Sequence, residues 1–221
     1  MTLEHDEVRA KIIAITLGLM DEGGLEMIKA RTIAKMAGVS VGSIYNMFGS
    51  VDELIQEANA HILSDMNKAG QVNAARCETE LARKISAGSM EDTGKARLLF
   101  RFLNLAETYM DFVEANAARW GAMLAFNRNR AEGAAADWYM AQQNALFDLV
   151  GNVLDETRLG DSEETRRIAA RALWSSVHGI VTMGYVGQPS KASRKNTWEQ
   201  IELLVTVFVD GLFVEKAESG V

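Results

Sequence analysis

A single cysteine, Cys77, rules out an internal disulfide, and a single proline, Pro189, leaves nearly all of the 221 residues free to run as helix. Histidine is almost as scarce. His5, His61 and His178 are the only three, and none follows a glutamate at the Glu-x-x-His spacing that di-iron helical bundles need. Cys77 has no histidine that the sequence nominates as its base, and no glycine-rich loop ends in Gly-Lys-Ser or Gly-Lys-Thr. The chain therefore nominates no catalytic residue, no metal ligand set and no cofactor, and it is expected not to be an enzyme.

Long apolar runs are missing too. Even Leu203 to Phe213 is interrupted by Asp210, far short of the roughly 20 residues that cross a bilayer. The N-terminus lacks the basic-then-apolar layout of an export signal. With a lone cysteine, this sets the expectation of a soluble protein in a reducing cytoplasm, with no membrane partner. An excess of basic charge is also absent. The formal charge is −7, which argues against a protein that coats itself with nucleic acid, so any such contact must be local. What is present is a 48% apolar composition, typical of a globular core, and no sustained period-two alternation that would mark a strand. The expected class is all-α.

One stretch departs from the acidic background. Lys29 to Phe48 holds Lys29, Arg31 and Lys35 and no acid, and its two apolar-periodic segments are broken by Gly38-Val39-Ser40. Ile33, Ala34, Met36 and Ala37 give the first segment an inner face, and Gly38 supplies a permissive backbone at its end. Ser40 is a good N-cap, so a second helix begins near Val41, with Ile44 and Phe48 inward. At roughly 100° per residue, Gly42, Ser43 and Asn46 then turn outward, flanked by Val41, Tyr45 and Met47. Asn46 suits an adenine edge, Ser43 can donate or accept, Gly42 permits close approach, and Tyr45 can donate to a phosphate. This is how a helix-turn-helix reads, although Glu4, Asp6, Glu7, Asp21, Glu22 and Glu26 lie just upstream and must point elsewhere.

Ile33-Ala34, Ala37-Gly-Val-Ser40, Gly42, Ile44-Tyr45, Phe48 and Leu54 stand in the register of the tetracycline-repressor (TetR) family, which this first quarter of the chain resembles. Two positions depart from the family's habit: Met47, where an aromatic or histidine is common, and Val51, where a lysine often contacts phosphate. Each lost phosphate contact lowers affinity and its salt dependence, so modest DNA affinity is expected. The resemblance implies a DNA-contacting set of Arg31, Thr32, Lys35, Ser40, Val41, Gly42, Ser43, Tyr45 and Asn46. It also implies a helix-turn-helix domain at 1–50, a linker helix at about 51–69, and an effector-binding and dimerisation domain at 70–221.

Elsewhere, Val8, Ile12, Ile15 and Leu19 recur at helical spacing before Gly23-Gly24, and Ser50 to Glu53 forms a capping box for a helix running past His61. Residues 70–92 are weakly patterned, with a short helix expected at Glu78 to Ser86. Further helices are expected at Ala96 to Glu114, Ala117 to Asn127, Gly133 to Thr157, Ser162 to Val186 and Lys195 to Lys216. The Ala-rich run from Ala131 to Ala136 reads as a helix start.

Large apolar side chains and methionines crowd Arg97 to Phe112 and Trp120 to Phe126, as an adaptable pocket or an ordinary core would require. Trp174, followed by His178-Gly179, resembles TetR-like regulators with a Trp and His-Gly (WHG) on the penultimate helix. The expected ligand-binding set is Tyr109, Phe112, Trp120, Met123, Phe126, Trp138, Trp174 and His178. Family members pair their last two long helices across a dimer, here about Arg166 to Val186 and Trp198 to Val214, which implies a palindromic operator of double-stranded DNA. The expectation is a homodimeric regulator, by family habit a repressor, released by a small apolar effector. A helical adaptor that kept the fold and lost DNA binding is the alternative.

Overall fold

A computed structural model describes residues 2–128, 137–155, 157, 159, 162–185 and 191–213, and these contain nine α-helices and no strand. The helices are α1 (Thr2–Gly23), α2 (Ala30–Ala37), α3 (Val41–Phe48), α4 (Val51–Ser86), α5 (Gly94–Ala115), α6 (Ala117–Arg128), α7 (Asp137–Leu154), α8 (Glu163–Tyr185) and α9 (Lys191–Phe213), with a 3-10 turn at Gly24–Met27 between the first two. The all-α expectation holds. The chain divides into two compact units, one of Met1–Asp65 with Ala115–Gln143 and one of Met66–Glu114 with Asn144–Val221.

In the first unit α1 packs on α2 and on α6, and α2 on α3. Ile12, Leu19 and Met20 of α1, Ile33 of α2, Ile44 of α3 and Leu54 of α4 are each at most 2% exposed and form the centre of its core. Met36, expected on the inner face of α2, is instead 49% exposed. Ile33, Ala34 and Ala37 already define the buried arc, and at 100° per residue Met36 falls more than a quarter-turn from its middle.

In the second unit α8 lies against α9. Val181, Ile201, Val205 and Val209 are at most 1% exposed at that contact, and Gly184 lets α9 come so close that a Cβ there would collide with the Thr197 side chain. Arg194 of α9 pairs with Asp111 at 2.6 Å and with Glu114, both on α5, and Lys95 of α5 reaches Asp210 at 2.9 Å.

Residues 70–86 correct the sequence reading. The linker helix does not stop near residue 69 but continues as α4 to Ser86, so no separate short helix exists at Glu78 to Ser86. Gly70 is not a break there; it is a close-packing position, because a side chain would run into Leu149. The buried residues of this half, Met66, Gly70, Cys77 and Leu81, do follow helical spacing, but a glycine and a cysteine make a faint stripe. Helix α7 ends at Leu154, where the Thr157 amide donates to the Leu154 carbonyl at 3.0 Å, and not at Thr157. Helix α9 starts at Lys191, four residues earlier than expected. The Ala131 to Ala136 run, Pro189 and the end of the last helix at Lys216 lie outside the described residues.

Candidate nucleic-acid interface and effector cavity

The bend between α2 and α3 is made by two small residues and the main chain. Gly38 adopts φ 77°, a left-handed conformation that a side chain would strain, and its amide and that of Val39 both donate to the Ala34 carbonyl at 3.0 Å. Ser40 then caps α3: its hydroxyl accepts from the Ser43 amide at 3.0 Å and lies 2.8 Å from the Ser43 hydroxyl. Gly38-Val39-Ser40-Val41-Gly42 has the Gly-x-Ser-x-Gly spacing of hydrolase nucleophiles. Here it joins two helices and the serine oxygen caps α3, whereas that nucleophile stands on a strand-to-helix turn.

Two cations close the far ends of these short helices. Lys11 donates to the Ala37 carbonyl at 2.9 Å, at the end of α2, and Arg9 donates to the Met47 carbonyl at 2.7 Å, at the end of α3. Both neutralise free carbonyls where the helix dipole is negative. Arg9 also pairs with Glu57 and lies 4.5 Å from the centre of the Phe48 ring. Sequence reasoning missed both residues, since nothing local says which carbonyls α1 will face.

What remains outward is uniform in character. Arg31, Lys35, Ser40, Val41, Gly42, Tyr45 and Asn46 are exposed, and Thr32 and Ser43 are half-buried. Lys29 adds a third exposed cation, and Ile44 and Phe48 hold the opposite side of α3 in the core. Among the acids upstream, Asp21 is turned to Arg119 of α6, with Nε to Oδ1 at 2.8 Å. Ser50 caps α4 by accepting from the Glu53 amide at 3.1 Å.

The structure distributes the eight residues of the expected ligand set between the two units. Trp120, Met123 and Phe126 are at most 7% exposed and belong to the first, as does Trp138, which is 46% exposed. Tyr109, Phe112, Trp174 and His178 belong to the second. There the Tyr109 ring lies 4.9 Å from that of Trp174, and its hydroxyl meets His178 Nδ1 at 2.6 Å. Burial pushes the Tyr109 phenol up and holds the His178 imidazole below its usual 6.5, so the contact joins two neutral groups. Tyr109 and Trp174 line a cavity of about 30 Å³ together with Phe102, Leu105, Ala106, Val150, Leu173, Val177 and Val205. The aliphatic residues of that wall were not nominated from sequence, because only the fold gathers them. Cys77 is 5% exposed, and burial, reinforced by Glu78, pushes its thiol up to about 11, which leaves it an inert core residue. No cluster of three or more metal-ligating side chains occurs among the described residues.

A three-helix unit that presents a capped, acid-free helix beside three exposed cations defines a helix-turn-helix DNA-binding protein. The comparisons agree. Residues 12–58 match the tetR family of bacterial regulatory proteins, and residues 102–207 match a tetracyclin repressor-like C-terminal domain. The HTH-type transcriptional regulator PksA of Bacillus subtilis is 23% identical over 216 residues, covering 96% of this chain and 93% of that protein. The HTH-type transcriptional regulator BetI of Burkholderia lata is 32% identical over 88 residues, 38% of this chain and 45% of that protein. In fold, the chain is similar to a protein of unknown function from a Rhodococcus species (TM-score 0.60, 21% identity, 93% and 95% of the two chains) and to the TetR family regulator PfmR of Thermus thermophilus (0.51, 17%, 91% and 96%). The chain belongs to the TetR family and is a DNA-binding transcriptional regulator.

Proposed function

We propose that the protein is a non-enzymatic, cytoplasmic homodimer that binds a palindromic double-stranded DNA operator through Arg31, Thr32, Lys35, Ser40, Val41, Gly42, Ser43, Tyr45 and Asn46, represses transcription there, and leaves when a small, largely apolar effector binds. The observation that carries this reading is that Gly42, Tyr45 and Asn46 of α3 and Arg31 and Lys35 of α2 are all exposed, in a stretch from Lys29 to Phe48 that contains no acid. Two such helices in a dimer fit half-sites about 34–36 Å apart.

Helices α8 and α9 supply the dimer surface. Ile168 and Met183 on α8 and Leu203 and Val207 on α9 are 58–86% exposed, too much apolar area for a lone helix pair facing water. Gly179 has open space where a Cβ would stand, which suits close approach of a second copy.

The effector enters between Tyr109 and Trp174. At about 30 Å³ the cavity there is far below the roughly 300 Å³ that a drug-sized ligand fills, so its walls must move to admit one. A ligand with different affinity for two arrangements of the wall shifts the balance between them, which is what release requires.

The test is an operator titration with the protein's own upstream DNA, followed by anisotropy at several salt concentrations. Asn46→Ala is expected to lose about 1–3 kcal/mol of sequence-specific binding. Lys35→Ala should weaken all sequences alike and flatten the salt slope by about 0.9. Unchanged affinity in both variants across the salt series rejects this interface.

A further inference from the structure

The first unit holds a larger opening that the regulator reading does not use. It measures about 330 Å³, already within the range of small-molecule sites, and is walled by Arg9 of α1, Glu57, His61 and Ser64 of α4, and Trp138 and Gln142 of α7. The spacing is that of helix faces. Positions 57, 61 and 64 form one stripe of α4, and 138 and 142 stand one turn apart on α7.

The wall is rich in donors. Arg9 and the Trp138 indole can only donate hydrogen bonds, and His61 and Ser64 can each donate at least one and Gln142 two, although these three can also accept. Among the described residues, the side chains of these last three enter no hydrogen bond or ion pair, so their capacity is open to an occupant. Glu57 is the single carboxylate of the wall, and it is already paired with Arg9. Trp138, 46% exposed and set edge-to-face against Tyr139 at 6.0 Å, is the aromatic side chain of the wall, on which a flat ring would stack.

We propose that this groove binds a planar aromatic acid, its ring on Trp138 and its carboxylate among Arg9, His61, Ser64 and Gln142. A carboxylate is the acceptor-only group that such a wall matches, and the guanidinium fork can take it in place of, or beside, Glu57. Because Arg9 also holds the Met47 carbonyl and lies over the Phe48 ring, an occupant that engages it is coupled through Arg9 to the end of α3.

Isothermal titration and saturation-transfer NMR on the full chain, with benzoate, benzamide and benzylammonium as probes, test the proposal. Benzoate is expected to bind saturably with a Kd of about 1 mM, the affinity usual for a fragment of this size. Benzamide should bind several-fold more weakly and benzylammonium not at all. Trp138→Ala should weaken benzoate about tenfold through loss of the stacking surface. Gln142→Ala, which changes a single wall donor, should weaken it by a smaller factor, and Trp174→Ala in the other unit should leave it unchanged. Equal binding of benzylammonium, full binding by Trp138→Ala, loss of binding in Trp174→Ala, or no saturation by benzoate up to about 10 mM would each overturn the proposal.

Discussion

Arg9→Met removes a charged head from three contacts at once while keeping most of the apolar stem in place. The bond to the Met47 carbonyl, 2.7 Å and partly buried, is worth about 1.5–3 kcal/mol because the donor is charged. The guanidinium 4.5 Å from the Phe48 centroid adds about 0.5–1 kcal/mol. The Glu57 pair adds less than about 1 kcal/mol, since the two side chains are 32% and 23% exposed and water screens them. These terms share one group and do not add in full, so the expected loss is about 2–3 kcal/mol. It should be felt in the last turn of α3 and in α1, not in α8 or α9. Native-state hydrogen exchange reads this directly. Amides of α3 that open locally should exchange about 30- to 160-fold faster at fixed pH, and those of the second unit at their original rate. Arg9→Lys keeps the charge and loses the fork, so it should fall between. Exchange in α3 within threefold of the parent would refute the reasoning. So would an equal loss in Glu57→Gln, which would make the ion pair, and not the carbonyl cap, the main contribution.

Gly184→Ala should lower Tm although alanine favours helix by about 1 kcal/mol, because the new methyl meets the stiff Thr197 side chain and overpacking costs about 1–3 kcal/mol. Gly18→Ala on α1 has nothing within 4 Å and should raise Tm by the propensity alone; a rise in both would discount the close α8–α9 approach. Burial holds the His178 pKa below 6.5, so below pH 6.5 the unfolded chain takes up protons that the folded one refuses. Stability present above pH 6.5 is therefore lost as pH falls toward the folded value. The fall in Tm from pH 7.5 to pH 5 should be shallower in His178→Gln, and parallel curves for the two proteins would remove His178 from the acid response.

The N-terminal half of this organisation was readable because its signals are local. Gly38, Ser40, Ser50 and the Ile44/Phe48 pair act within one turn of themselves, and each stands where its chemistry placed it. Met36 misled because a segment of eight residues gives periodicity too few points to fix its phase. The continuation of α4 was hidden for the opposite reason. Gly70 reads as a breaker in sequence, and only the nearness of Leu149 reveals it as a packing residue. The effector residues were the least legible. Aromatic composition nominated Trp120 and Trp174 alike, but which unit each joins is decided by contacts far apart in the chain. For the same reason Arg9 was unmarked until α3 was folded against α1.

Gly38, the Ser40 hydroxyl, Lys11, Arg9 and peptide groups, together with Ile33, Ile44 and Phe48 in the core, fix the angle between α2 and α3. Gly42, Tyr45 and Asn46 take no part in it. Those three sites are thus free to vary without unfolding the domain that carries them, so altered target preference can be reached by single replacements on an unchanged frame.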